Sequence, residues 1–199
     1  MSTLRRRVIA GAALLACAAP FGVAQAQDAD QVNRAVAVTE QDNTRVFDFA
    51  WSLDRQKGGV VEHQNIANAA ARCTDCRATA IAFQIVLASR GATVGTVHNQ
   101  AVAINDQCTD CVVYAGARQF VRTVVGNNAA FTDDGRATLS DVRNDLRALE
   151  GQDLDVDALT AQVEAQEARV LKVLTEEVVT SSGDAVRYRN RVNRQANAN

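Results

Sequence analysis

Hydrophobic and polar positions alternate along the middle of the chain. Phe47, Phe49, Trp51 and Leu53 occupy every second position, and Ile81, Phe83, Ile85 and Leu87 repeat the arrangement farther along. A period of two is what a strand with one buried face requires. Further apolar runs over Ala78 to Leu87 and Val112 to Val125 extend the pattern. Upstream of each run lies Asn-x-Ala-x-Ala, at Asn33 to Ala37, Asn65 to Ala69 and Asn99 to Ala103, so the copies recur at nearly equal intervals. Each unit therefore reads as extended segment, polar turn, extended segment, which predicts a β-hairpin. The competing reading makes the alanine-rich pieces helical, around Ala69 to Ala71 and Ala115 to Phe120, because alanine is the best helix former. β-Branched and aromatic content favours strands.

Beyond Gly126 the period lengthens. Leu139, Val142, Leu146 and Leu149 recur at steps of three and four, after capping residues at Thr132 to Asp134 and before a stop at Gly151. A second helix is predicted from about Asp157 to Val179, with Leu159, Val163, Val170 and Val173 on one stripe. The two form a helical hairpin that packs on the sheet or projects toward a partner helix. From Thr180 onward, small and polar residues with Arg187, Arg189, Arg191 and Arg194 predict a disordered basic tail. The expected fold class is α+β. Antiparallel β-hairpins repeat three times over residues 32–126, a helical hairpin covers 133–179, and a tail covers 180–199.

The segment Met1 to Ala26 reads as an export signal. Arg5-Arg6-Arg7 precedes an apolar run from Val8 to Ala19, and Ala24-Gln25-Ala26 supplies the small-x-small cleavage site. The apolar run is too short to span a membrane, so no transmembrane helix is expected in the mature chain. Two variants compete: a lipoprotein site that would acylate Cys17, and twin-arginine export of an already folded protein. Losing Arg5, Arg6 and Arg7 lowers the basic count from 21 to 18, against 23 acidic side chains. Such a balance disfavours a nucleic-acid partner. The mature chain also lacks proline, so Gly, Asn and Asp must make its turns.

Cys-Thr-Asp-Cys occurs twice, at Cys73 to Cys76 and Cys108 to Cys111, while Asp42-Asn43-Thr44-Arg45 stands at the corresponding place in the first unit. In an oxidising compartment the simplest expectation is two disulfides, Cys73 with Cys76 and Cys108 with Cys111, each pinning a turn. A four-thiolate zinc site is a rival, since Cys-x-x-Cys chelates Zn²⁺ well. The stretch between the pairs, Arg77 to Gln107, is longer than the usual ribbon spacing, and export argues against retained thiolates. A redox-active dithiol is a second rival, without the strand-to-helix context that usually lowers such a thiol's pKa.

The stretch Cys73 to Val86, with Asn99 to Ala103 and Cys108 to Cys111, resembles an uncharacterised extracytoplasmic domain of actinobacterial and related proteins. Some longer membrane proteins bearing that domain carry a peptide zinc metalloprotease label. The resemblance spans roughly residues 32 to 178 and implies an accessory domain. It does not imply a peptidase, because a zincin needs two histidines four apart around a glutamate, and His63 and His98 lie far apart with no such motif at either.

Other chemistry is thin. His63 and His98 read as turn or surface histidines, and Asp75 and Asp110 as turn residues capping their own backbone. Asp133-Asp134-Gly135 is too short for a calcium loop. No phosphate-binding loop or nucleophile elbow occurs. The sequence therefore predicts an exported, non-enzymatic structural or protein-interaction module with no cofactor or resident metal. Its expected partner is an unknown envelope or extracellular protein, and its alternatives are a thiol-disulfide oxidoreductase and a zinc-binding domain.

Overall fold

The computed structural model describes residues 32–126, 128–180 and 190–198. The expected signal peptide lies outside them. Six long strands come first: β1 (Val32–Thr39), β2 (Arg45–Gln56), β3 (Gly59–Ala71), β4 (Arg77–Ala88), β5 (Ala92–Asn105) and β6 (Val112–Thr123). Then follow β7 (Ala130–Phe131), α1 (Asp133–Arg147), a 3-10 turn at Ala148–Gly151, α2 (Val156–Glu176), β8 (Val178–Val179) and β9 (Asn190–Ala198).

The expected antiparallel hairpins are not formed. Strands consecutive in sequence enter different sheets: β1, β3 and β5 make one, and β2, β4 and β6 make the other, extended by β9. All pairings among the first six strands are parallel. Each odd strand, its corner and the following even strand make one rung, and three rungs stack into a short two-sided coil. Alternation reports that one face is buried, and does not say which neighbour satisfies the backbone. In-register copies of one sequence are what parallel stacking produces, and Asn33, Asn65 and Asn99 stand side by side, as do Ala35, Ala67 and Ala101. The alanine-rich segments are strands, since Ala69 to Ala71 belongs to β3 and Ala115 to Phe120 to β6.

The two faces of each strand do different work. Inward, the sheets meet through Ala35, Ala37, Ala67, Ala69, Ala78, Ala80, Ala82, Ala115 and Ala117, all buried. Buried amides run through this interior as a ladder. Asn33 Nδ2 donates to Asn65 Oδ1 and Asn65 Nδ2 donates to Asn99 Oδ1, each at 2.7 Å. Each amide nitrogen also donates across to the facing sheet, Asn33 Nδ2 to Phe83 O (2.9 Å), Asn65 Nδ2 to Ala82 O (3.1 Å) and Asn99 Nδ2 to Ala117 O (3.1 Å). Farther along, Gln119 Nε2 donates to Gln84 Oε1 at 2.7 Å. Buried amides satisfied in this way specify register, because a slip of one residue along a strand would orphan them.

Outward, the second sheet presents Phe47, Phe49, Trp51, Ile81, Phe83, Ile85, Leu87 and Phe120, and the helices cover them. Leu139, Val142 and Leu146 of α1 and Leu159, Val163, Val170 and Val173 of α2 complete this larger core. Trp51, Phe83 and Phe120 form a row across three strands with successive centroids 6.0 Å apart. Buried Arg118 of β6 pairs with Glu167 of α2 at 2.7 Å, with side-chain exposures of 3% and 4%. Thr132 and Asp155 cap the helices by accepting from Gly135 N and Ala158 N.

The ends of the coil are handled separately. On the β1 side, the inward carboxylate Asp48 accepts from Val36 N at 2.6 Å, occupying a donor that a further strand would need. On the other side, β9 pairs antiparallel with β6, from Tyr114 opposite Ala198 to Arg122 opposite Asn190. The segment expected to be a disordered tail thus supplies an edge-covering strand. Its polar composition concealed this, because the pairing runs through backbone groups that every residue carries.

Candidate functional site: a four-sulfur corner

The cysteines sit at the corner where the chain passes from the first sheet to the second. Strand register aligns Arg45 with Arg77 and Arg77 with Val112. Thr44, Cys76 and Cys111 are therefore equivalent, as are Gln41, Cys73 and Cys108, so the first unit's counterpart is Gln41 to Thr44, one residue earlier than the sequence suggests. At the third corner position Asn43, Asp75 and Asp110 all have positive φ (57°, 53° and 57°). Asn and Asp tolerate this left-handed conformation best after glycine. In the second and third corners the cysteines at both ends pack in or against the alanine-lined interior.

Adjacent corners are bonded to each other through the backbone. Thr74 bridges Thr109 in parallel, Asp75 N donates to Thr109 O at 2.9 Å, and Val112 N donates to Cys76 O at 3.0 Å. Rungs in one sheet lie about 4.8 Å apart, so two stacked Cys-x-x-Cys corners must bring four sulfurs together. All four Sγ atoms lie within 4.8 Å of one another. In the first rung, hydrogen bonds replace the sulfur: Thr44 Oγ1 donates to Gln41 O at 2.5 Å and contacts Thr39 Oγ1.

Cys73 and Cys76 form a disulfide, with Cα atoms 6.1 Å apart. The second expected bridge, Cys108 to Cys111, is not formed, and both residues are partly buried thiols. Cys111 is engaged across the rungs instead: its Sγ lies 3.0 Å from Cys76 Sγ and donates to Cys73 O at 3.0 Å. Cys108 Sγ lies 4.0 Å from Cys76 Sγ and accepts from Cys73 N at 3.4 Å. Desolvation, reinforced by the neighbouring Cys108 thiol, pushes the Cys111 thiol above its ordinary pKa. A nucleophilic cysteine needs the opposite shift.

The histidines do not form a matched pair. A bulge between Val61 and His63 shifts the register, so that His63 faces Val97 and His98 faces Gln64. His63 is buried, 3.5 Å from Gln84 and 3.7 Å from Asp54. Its desolvation lowers its pKa despite the nearby carboxylate. The Asn and Gln ladder was visible in the sequence as a repeated Asn, yet its continuity required the parallel register. The Arg118–Glu167 pair carried no spacing signal, since its members are far apart in the chain and lie in unlike elements.

The outer face of the first sheet is not covered by any described helix. It exposes Val36 and Val38 of β1 and Ile104 of β5, the last two by 53% and 51%. No described helix is long and apolar enough to cross a membrane. Comparison with protein-family models, curated proteins and solved structures returns no match.

Proposed function

We propose that the protein is an exported structural or protein-interaction module acting at or outside the cell envelope, without catalysis of its own. The observation that carries this reading is the asymmetry of the two outer faces. One packs against α1 and α2, while the other is a three-strand surface with exposed valine and isoleucine. Side chains on a stacked parallel sheet are held in fixed rows, so such a face binds a partner with little loss of conformational freedom. The leader-like segment Met1 to Ala26 supports export. Cysteine corners suit a domain that must persist outside the cytoplasm.

The test combines fractionation with site-specific photocrosslinking in the producing cell. A crosslinker placed at Val36 or Ile104 is expected to capture an extracytoplasmic protein, whereas one on α2 at Gln162 captures none. Retention of the uncleaved chain in the cytoplasm, or equal capture from both faces, would overturn the proposal.

A further inference from the structure

We propose that the four-sulfur corner is a tetrahedral zinc site, filled when all four cysteines are thiols. A tetrahedron with Zn–S bonds of about 2.3 Å has sulfur–sulfur edges of about 3.8 Å. The cross-rung separations of 3.0 Å and 4.0 Å from Cys76 bracket that edge, and no pair of the four exceeds 4.8 Å. Each corner contributes a Cys-x-x-Cys chelate, the spacing zinc sites favour.

The parallel coil removes the main objection that the sequence raised. The stretch from Arg77 to Gln107 is too long for a local ribbon, but here it makes one circuit of the coil and returns the chain to the same corner, one rung higher. Backbone bonds between Thr74, Asp75 and Thr109 fix that return before any metal binds. The N–H of Cys73 already points at Cys108 Sγ, as a donor to a bound thiolate would. A soft, four-sulfur donor set of this shape selects zinc over magnesium, calcium or manganese.

This inference does not rest on the proposed function. The chain is synthesised with thiols, so filling the site needs no reductant: one Zn²⁺ forms four Zn–S bonds and four protons leave. Cys111 then gives up the proton it donates to Cys73 O. The disulfide between Cys73 and Cys76 is the competing state. Forming it withdraws two electrons from two of the ligands and leaves only two sulfurs to hold the ion.

The experiment uses the mature protein, made metal-free with a phosphine reductant and titrated with Co²⁺ and then Zn²⁺. Expected is one Co²⁺ per chain, with the intense visible absorption of tetrahedral thiolate coordination, displaced by one equivalent of Zn²⁺. Cys108→Ser and Cys111→Ser should each lose that spectrum while keeping the far-ultraviolet circular dichroism of the parent. If either variant fails to fold, Cys73→Ser/Cys76→Ser supplies the same comparison. Weak octahedral Co²⁺ absorption, binding well below one equivalent, or serine variants that bind as the parent does would overturn the proposal. So would a reduced chain that closes two disulfides in the presence of equimolar Zn²⁺.

Discussion

Asn65 shows how much one residue contributes in this coil. Its amide donates to Asn99 and to Ala82 O while its oxygen accepts from Asn33, with its own side chain fully buried. Each buried partner left unpaired costs about 1–3 kcal/mol. Asn65→Ala is therefore expected to lower the unfolding free energy by more than about 2 kcal/mol in urea titrations, while Asn68→Ala, whose side chain faces outward in the same strand, changes it by less than about 0.5 kcal/mol. Equal effects at the two positions would mean that the ladder is not holding the interior. The sequence showed that Asn33, Asn65 and Asn99 recur, but not what recurs with them. A repeated asparagine is equally compatible with three turns, three caps or one continuous ladder. The cysteines present the same ambiguity, because adjacency within a corner is visible in the chain and adjacency between corners is not.

At the scale of elements, the existence of strands and helices was legible and their pairing was not. The period of two over Phe47 to Leu53 and Ile81 to Leu87 marks strands in either orientation, and the three-and-four period after Gly126 marks the helices with their caps. Parallel or antiparallel pairing depends on where the chain goes after each corner. Here Gly58, Gly59 and Gly91, with φ of 117°, 73° and 89°, turn the chain into the opposite sheet. β9 was hidden for a different reason, as an edge strand pairs through its backbone whatever its side chains. A chain ending after residue 180 leaves the β6 edge open, and exposed edges template association. Such a truncation is expected to form concentration-dependent oligomers in light scattering where the full chain does not. A monomeric, equally soluble truncation would show that β9 does not protect the edge.

Across the whole molecule, the helices and the coil are joined by the aromatic core and by one buried ion pair. Removing one member of such a pair strands its partner and typically costs about 3–5 kcal/mol, whereas replacing both by apolar residues is often neutral. Glu167→Ala should therefore destabilise severely, and Arg118→Met combined with Glu167→Leu should recover most of the loss in thermal or urea unfolding. Similar losses in both proteins would place the energy elsewhere, in contacts shared by either side chain. The stacked register has a last consequence, which concerns size. Because each rung meets the next through the same alanines and amides, the interior carries no mark of how many rungs there should be. An extra unit spliced between β4 and β5 would find matching neighbours on both sides and lengthen the coil by about 4.8 Å. Asp48 at one end and β9 at the other are the stops of a ruler whose graduations are interchangeable.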